Sequence, residues 1–176
     1  ARRDSLYGIV NGIDYEEYDP KTDPYLAANF NNVNLVAGKK KNKAALQKEM
    51  GLPVKEDTFL VGIVSRMTDQ KGFDLVAYMM DEMLSTLDIQ FVVLGTGEDR
   101  YQDMFRLFQN KYPDKLCAHI GYSEDYAHRI YASCDAFLMP SLFEPCGLSQ
   151  MMAMRYGTVP IVRETGGLKD TVEAYN

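Results

Sequence analysis

The chain has 176 residues, 46% hydrophobic and 25% charged, with a net charge of −6. This is globular composition with apolar material for one buried core, and the acidic balance argues against a general surface for nucleic acid or anionic membrane. No apolar stretch approaches the roughly 20 residues of a membrane span, and no secretory leader is legible.

The start at Ala1 reads as the edge of a piece cut from a longer protein. Residues 1–31, rich in Asn, Asp and Tyr, carry the turn signals Asp19-Pro20 and Asp23-Pro24 and are expected to be an irregular lead-in with a short strand at Leu6–Val10. A basic helix follows from about Asn34 to Met50, stopped by Gly51 and Pro53. Its run Lys39-Lys40-Lys41-Asn42-Lys43 has no interleaved aromatics and reads as a solvated helix face rather than a nucleic-acid contact.

From Thr58 onward short apolar runs alternate with amphipathic ones. The runs Phe59–Val64, Ile89–Leu94, Leu116–Ile120, Ala136–Met139 and Val159–Val162 predict strands buried on both faces. Between them Phe73, Val76, Ala77 and Met80, and then Tyr101, Met104, Phe105 and Phe108, recur at i, i+3, i+4 and i+7, the helical spacing. A helix over Asp125–Tyr131 carries His128, for which a structural role is favoured. Strand and helix in strict turn give an α/β fold, a doubly wound parallel sheet with right-handed crossovers. The chain runs to Asn176 without a helix stop signal, so further elements are expected beyond it. Cys117, Cys134 and Cys146 lack metal-ligand spacing and read as free thiols of a reducing compartment.

In such sheets ligands bind beyond the carboxyl ends of the strands. Arg66 and Lys71, with Gly72 opening a helix, are either surface cations or a fork and a point charge for phosphate oxygens. Gly95-Thr96-Gly97-Glu98 lacks the third glycine of a dinucleotide loop and reads either as a tight structural turn or as a turn near a base or ribose, the former favoured. Tyr122 is either a rim aromatic or a stacking platform for a base. Thr165-Gly166-Gly167 is either a plain turn or a phosphate cradle of exposed amides. The most informative segment is Phe143-Glu144-Pro145-Cys146-Gly147-Leu148-Ser149, a strand-to-helix loop whose proline is suited to a helix start. Its Glu144 either favours the helix dipole or grips sugar hydroxyls and faces developing positive charge. Together a carboxylate loop and a cationic loop on one sheet edge suggest a site for a sugar attached to phosphate. No Asp-x-Asp motif occurs, and His119 and His128 suggest no metal cluster, so Arg, Lys and helix termini are expected to neutralise a diphosphate without a metal ion or other cofactor.

Across essentially the whole chain these segments, with Asn11-Gly12-Ile13-Asp14, Gly121-Tyr122-Ser123-Glu124 and Leu168-Lys169-Asp170-Thr171-Val172, stand in the order found in bacterial glycogen synthases and plant starch synthases. The sequence resembles that family's C-terminal half. The resemblance implies a Rossmann-like domain of a two-domain, GT-B type glycosyltransferase, whose N-terminal acceptor domain is absent here, spanning residues 1–176 and incomplete at its C-terminal end. It implies retaining transfer of glucose from ADP-glucose to the non-reducing end of an α-1,4-glucan. Arg66 and Lys71 would contact the diphosphate, Tyr122 would stack on adenine, and Thr165, Gly166 and Gly167 would add phosphate contacts. Glu144 with the backbone of Cys146, Gly147 and Leu148 would hold the glucose, and Asn11 would lie beside the glucosyl group. Glu144 as nucleophile and a front-face route through the leaving phosphate both stay open. Related transferases carry a second Glu where this chain has Met152, as the glucan synthases do. Rival readings are a sucrose or trehalose-phosphate synthase type of transferase, or a non-catalytic nucleotide-sugar-binding module. The implied setting is bacterial cytoplasm, or plastid stroma in a plant, with neither nucleic acid nor membrane as partner.

Overall fold

All five apolar runs become strands in the computed structural model, which describes residues 3–5 and 7–175. They are β1 (Phe59–Val64), β2 (Ile89–Gly95), β3 (Leu116–Ile120), β4 (Ala136–Met139) and β5 (Val159–Val162). The sheet order is β3-β2-β1-β4-β5, with every neighbouring pair parallel. The helices are α1 (Leu35–Glu49), α2 (Phe73–Thr86), α3 (Asp99–Lys111), α4 (Glu124–Ser133), α5 (Ser149–Arg155) and α6 (Gly166–Thr171).

Side chains alternate between the two faces of a strand, and the core divides accordingly. Leu60, Val92, Leu94 and Phe137 pack with Ile130, Tyr131 and Tyr156 under α1, α4 and α5. Val61, Ile63, Phe91 and Val93 pack with Phe73, Met80, Tyr101 and Phe105 under α2 and α3. The helical stripes predicted from spacing face the core, with Ala77 and Met104 half-buried and the other six residues buried. Among the described residues no helix is long and apolar enough to cross a membrane.

Four expectations change. Tyr7–Val10 pairs with no strand and Leu6 lies outside the described residues; Tyr7 and Ile9 stand exposed, and an extended segment without a ladder neighbour gains no strand hydrogen bonds. The lysine run is not simply a solvated face. Lys39 Nζ donates to Thr158 Oγ1 at 2.7 Å and to the carbonyls of Ala132 and Tyr156 at 3.3 Å each. Lys43 Nζ meets Asp135 Oδ2 at 2.7 Å and Glu56 O at 3.0 Å. The i, i+4 spacing puts both on the inward side of α1, and their apolar stems cross the packed layer to deliver charge to polar groups. The helix after β4 starts at Ser149 rather than at Pro145, because Gly147 takes a left-handed φ of 72° and holds the preceding segment as a loop. Finally, β5 is an edge strand with one bare flank: Val159 is 63% and Ile161 48% exposed.

Residues 14–30 run without regular structure but are tied down. Tyr18, Asp23 and Phe30 are buried, and Asp23 Oδ2 meets His128 Nδ1 at 2.8 Å and the Tyr156 hydroxyl at 2.5 Å. His128 is thus held in the core through Nδ1, which ties the lead-in to α4.

Candidate functional site

The strand order reverses between β1 and β4. The chain leaves β1 toward β2 on one side and leaves β4 toward β5 on the other, which opens a crevice at the carboxyl edge. Ser65–Gly72 and Pro140–Leu148 are the two loops that flank it. They are stitched together: the Leu142 amide donates to Gln70 O at 2.9 Å and Gln70 Nε2 to Phe143 O at 3.0 Å. Gly72, in left-handed backbone at φ 75°, packs so closely on the Pro140 carbonyl that a Cβ would overlap it.

This stitching brings Lys71 and Glu144 together. Lys71 Nζ donates to Glu144 Oε2 at 2.5 Å, and the Ser141 hydroxyl reaches the same oxygen at 3.2 Å. Their side chains are 15% and 10% exposed, so the pair is nearly withdrawn from water. Such a pair adds little net stability against apolar packing, but removing one partner leaves a buried charge uncompensated. Both donors fall on Oε2; among the described residues Oε1 has no hydrogen-bond partner. Arg66 is exposed on the same loop, and its guanidinium forms no ion pair or hydrogen bond within the described residues. The two adjoining loops thus carry a free guanidinium, a fixed ammonium and a carboxylate oxygen at one sheet edge, groups suited to an anion joined to a hydroxylated group.

The start of α6 closes the other flank. Gly166, at φ 46°, and Gly167 lie against the carbonyls of Glu144 and Cys146, where a Cβ would overlap. The expected cradle of exposed amides is only partly formed. The Gly167 amide donates to Glu144 O at 3.0 Å and the Thr165 amide to Arg163 O at 2.8 Å. Packing loop on loop consumes those donors. Cys146 and Gly147 direct their carbonyls to Gln150 Nε2 at 3.2 and 3.1 Å, while the amides of Cys146, Gly147 and Leu148 donate to no group among the described residues. Leu148 caps α5.

Gln150, Ser141 and Gln70 position this site and were not singled out in the sequence. Gln150 is wholly buried and also reaches Thr171 Oγ1 at 3.0 Å, joining α5 to α6. Its only sequence signal is an amide inside an otherwise apolar helical stretch. Tyr122 is 83% exposed after β3, with its hydroxyl on Glu124 Oε2 and its ring face open. Asn11 is exposed, and no hydrogen bond joins it to Lys71 or Glu144; the neighbouring Gly12 and Ile13 line a groove with Met151, Met154 and Arg155. The turn Gly95–Glu98 exchanges backbone hydrogen bonds with Met67. The fold also gathers what the two histidines alone did not suggest, ligand atoms of Glu17, Glu124 and His128 within 4.8 Å of one another.

Residues 42–176 match the family model described as Glycosyl transferases group 1. The chain belongs to this family. Among curated members, the Glycogen synthase of Lachnospira eligens is 65% identical over all of this chain, and that of Lachnoclostridium phytofermentans 57%. The chain spans 37% of the length of each. The catalytic domain of Starch Synthase IV from Arabidopsis thaliana, solved bound to ADP and acarbose, superposes with a TM-score of 0.89 at 42% identity, over 97% of this chain and 35% of that one. The homology to the glycogen and starch synthases thus extends over the full chain, and the parallel sheet is the Rossmann-like architecture of a GT-B transferase domain.

Proposed function

We propose that this group 1 glycosyl transferase chain is the donor-binding half of a retaining glucosyltransferase that moves glucose from ADP-glucose to the non-reducing end of an α-1,4-glucan. The observation that carries the reading is the crevice between β1 and β4, where Lys71 holds Glu144 and Arg66 stands without a partner. As the glucosyl bond breaks, negative charge grows on the departing diphosphate. Arg66 and Lys71 meet it with a planar fork and a point charge, which stabilises the transition state more than the ground state. In this reading fixed cations do at the diphosphate what a divalent ion does elsewhere.

Glu144 is assigned to the glucose hydroxyls through its unoccupied Oε1, beside the amides of Cys146, Gly147 and Leu148. An ammonium 2.5 Å from Oε2 neutralises the carboxylate and lowers its nucleophilicity, which favours a front-face route in which the leaving phosphate accepts the acceptor's proton. Tyr122 stacks on adenine, Thr165 and the Gly166 amide add phosphate contacts, and Asn11 lies beside the glucosyl group.

The test uses the longer protein that contains this chain, with ADP-glucose and a glucan primer. Arg66→Ala and Lys71→Ala are each expected to lower kcat by about 10²–10³-fold, the cost of removing one electrostatic stabiliser of a transition state. Parental turnover and donor affinity in both variants would remove the assignment. The 176-residue chain by itself is expected to transfer no glucose and to bind ADP or ADP-glucose at most weakly; turnover by the isolated chain would contradict this.

A further inference from the structure

A second polar group lies apart from Lys71 and Glu144, around His128. The ring is 1% exposed, stacked on Tyr18 at 4.7 Å and 14° and met edge-on by Tyr25 at 5.0 Å. Nδ1 faces Asp23 Oδ2 at 2.8 Å and the Tyr156 oxygen at 3.2 Å. Tyr156 donates its own proton to that same Asp23 oxygen at 2.5 Å. Both groups facing Nδ1 are therefore acceptors, so Nδ1 carries the hydrogen. In a neutral imidazole the other nitrogen is then a bare lone pair.

That nitrogen, Nε2, is buried and has no hydrogen-bond partner. It lies 3.8 Å from Glu124 Oε1, and the Glu17 carboxylate completes a trio whose ligand atoms are all within 4.8 Å. Two carboxylates and a lone pair converge with no positive group among them. Tyr18 OH donates to Glu124 Oε1 at 3.2 Å and Tyr122 OH to Oε2, which orients the carboxylate without neutralising it.

We infer that Glu17, Glu124 and His128 form a binding site for a divalent transition-metal ion of the zinc type. One imidazole and two carboxylates are a donor set such an ion accepts, with water in the remaining position. Metal-ligating histidines typically give their second ring hydrogen to a carboxylate, the part Asp23 plays here. With bonds of about 2.0–2.2 Å, the 3.8 Å between Nε2 and Glu124 Oε1 already spans an ion, and the exposed Glu17 has room to close the last gap. Glu124 and His128 lie one turn apart on α4, whereas Glu17 comes from the lead-in. The ion would thus clasp residues 14–30 to α4 and fix Glu124, the partner of Tyr122. This site stands independently of glucosyl transfer.

The experiment is titration of the chelator-stripped protein with Zn²⁺, read by calorimetry, thermal unfolding and ¹⁵N resonances of the histidine rings. The expected result is one equivalent bound, a raised unfolding midpoint and a shift of the His128 Nε2 resonance from that of a bare lone pair to that of a metal-bound nitrogen, with the hydrogen still on Nδ1. Glu17→Gln and Glu124→Gln, on carboxylates outside the core, should each weaken Zn²⁺ at least about tenfold, the smallest loss typical for disturbing a metal site. Cys117→Ser and His119→Gln should leave it unchanged. No zinc uptake, uptake indifferent to both glutamine variants, or a His128 Nε2 resonance unmoved at saturating zinc would overturn the inference.

Discussion

Lys71 and Arg66 stand on one loop but answer to different physics. Lys71 is nearly buried against Glu144, so Lys71→Ala leaves a carboxylate without its counter-charge and is expected to cost about 3–5 kcal/mol of stability in denaturant unfolding. Arg66 is exposed, and Arg66→Ala should change stability by no more than about 0.5 kcal/mol while still lowering turnover. Equal destabilisation by both would show that Arg66 has a structural partner. Gly167 gives a steric test. A Cβ there would overlap the Cys146 carbonyl, so Gly167→Ala should lose about 1–3 kcal/mol by overpacking and weaken donor binding through the displaced loop. Glu144 was legible in the sequence as a loop carboxylate. Its neutralisation by Lys71, distant along the chain, was not, because spacing fixes the loop of each residue and says nothing of which loops touch.

At the scale of elements, two buried polar contacts tie α1 and the lead-in to the α4–α5 layer, and each has a pH signature. Burial pushes Lys39 down to about 8 from an ordinary value of 10.5, against the pull of nearby Cys134 and Asp135. Its folded pKa lies below its unfolded one, so between about pH 8 and 10.5 the unfolded chain holds more protons and Lys39 makes stability rise with pH. Subtracting the stability profile of Lys39→Met from that of the parent should isolate this rise; a flat difference would refute it. Asp23 also makes stability rise with pH, in the acid range and for a different reason. Burial alone would raise its carboxyl, but hydrogen bonds from His128, Tyr156 and the Tyr25 amide outweigh it and hold the group below its usual range. Its contribution is therefore present above about pH 3.9, the unfolded value, and is lost as pH falls through the lower folded value. Asp23→Asn should lose about 3 kcal/mol at neutral pH and shallow the acid limb of unfolding. The lysine run shows why such contacts escape a reading of α1: a cation in a helix scores as solvent-facing, and only the packed neighbour reveals carbonyls and carboxylates awaiting it.

Over the whole molecule the two faces of the sheet are unequally covered. One face is closed by α1, α4 and α5, but beyond α2 an apolar groove of about 570 Å³ runs over Phe59, Leu75, Met79, Leu138 and Ile161. The chain is expected to bind an apolar fluorescent dye there, and Leu75→Gln with Ile161→Thr to reduce the signal; an unchanged signal would place the dye elsewhere. This unevenness separates what could be read early from what could not. Apolar periodicity determined the strands, the order of elements and the α/β class, because period-2 and period-3.6 patterns are local and the crossover rule makes the parallel sheet their economical packing. The loop motifs nominated the candidate site residues. Only the tertiary structure decided that β5 is a half-bare edge, that the Gly167 amide is spent on the Glu144 carbonyl, and that Glu17 comes within reach of His128. Each of these depends on which distant segments are neighbours, and proximity between segments far apart in the chain is set by packing and strand order, which no local pattern encodes.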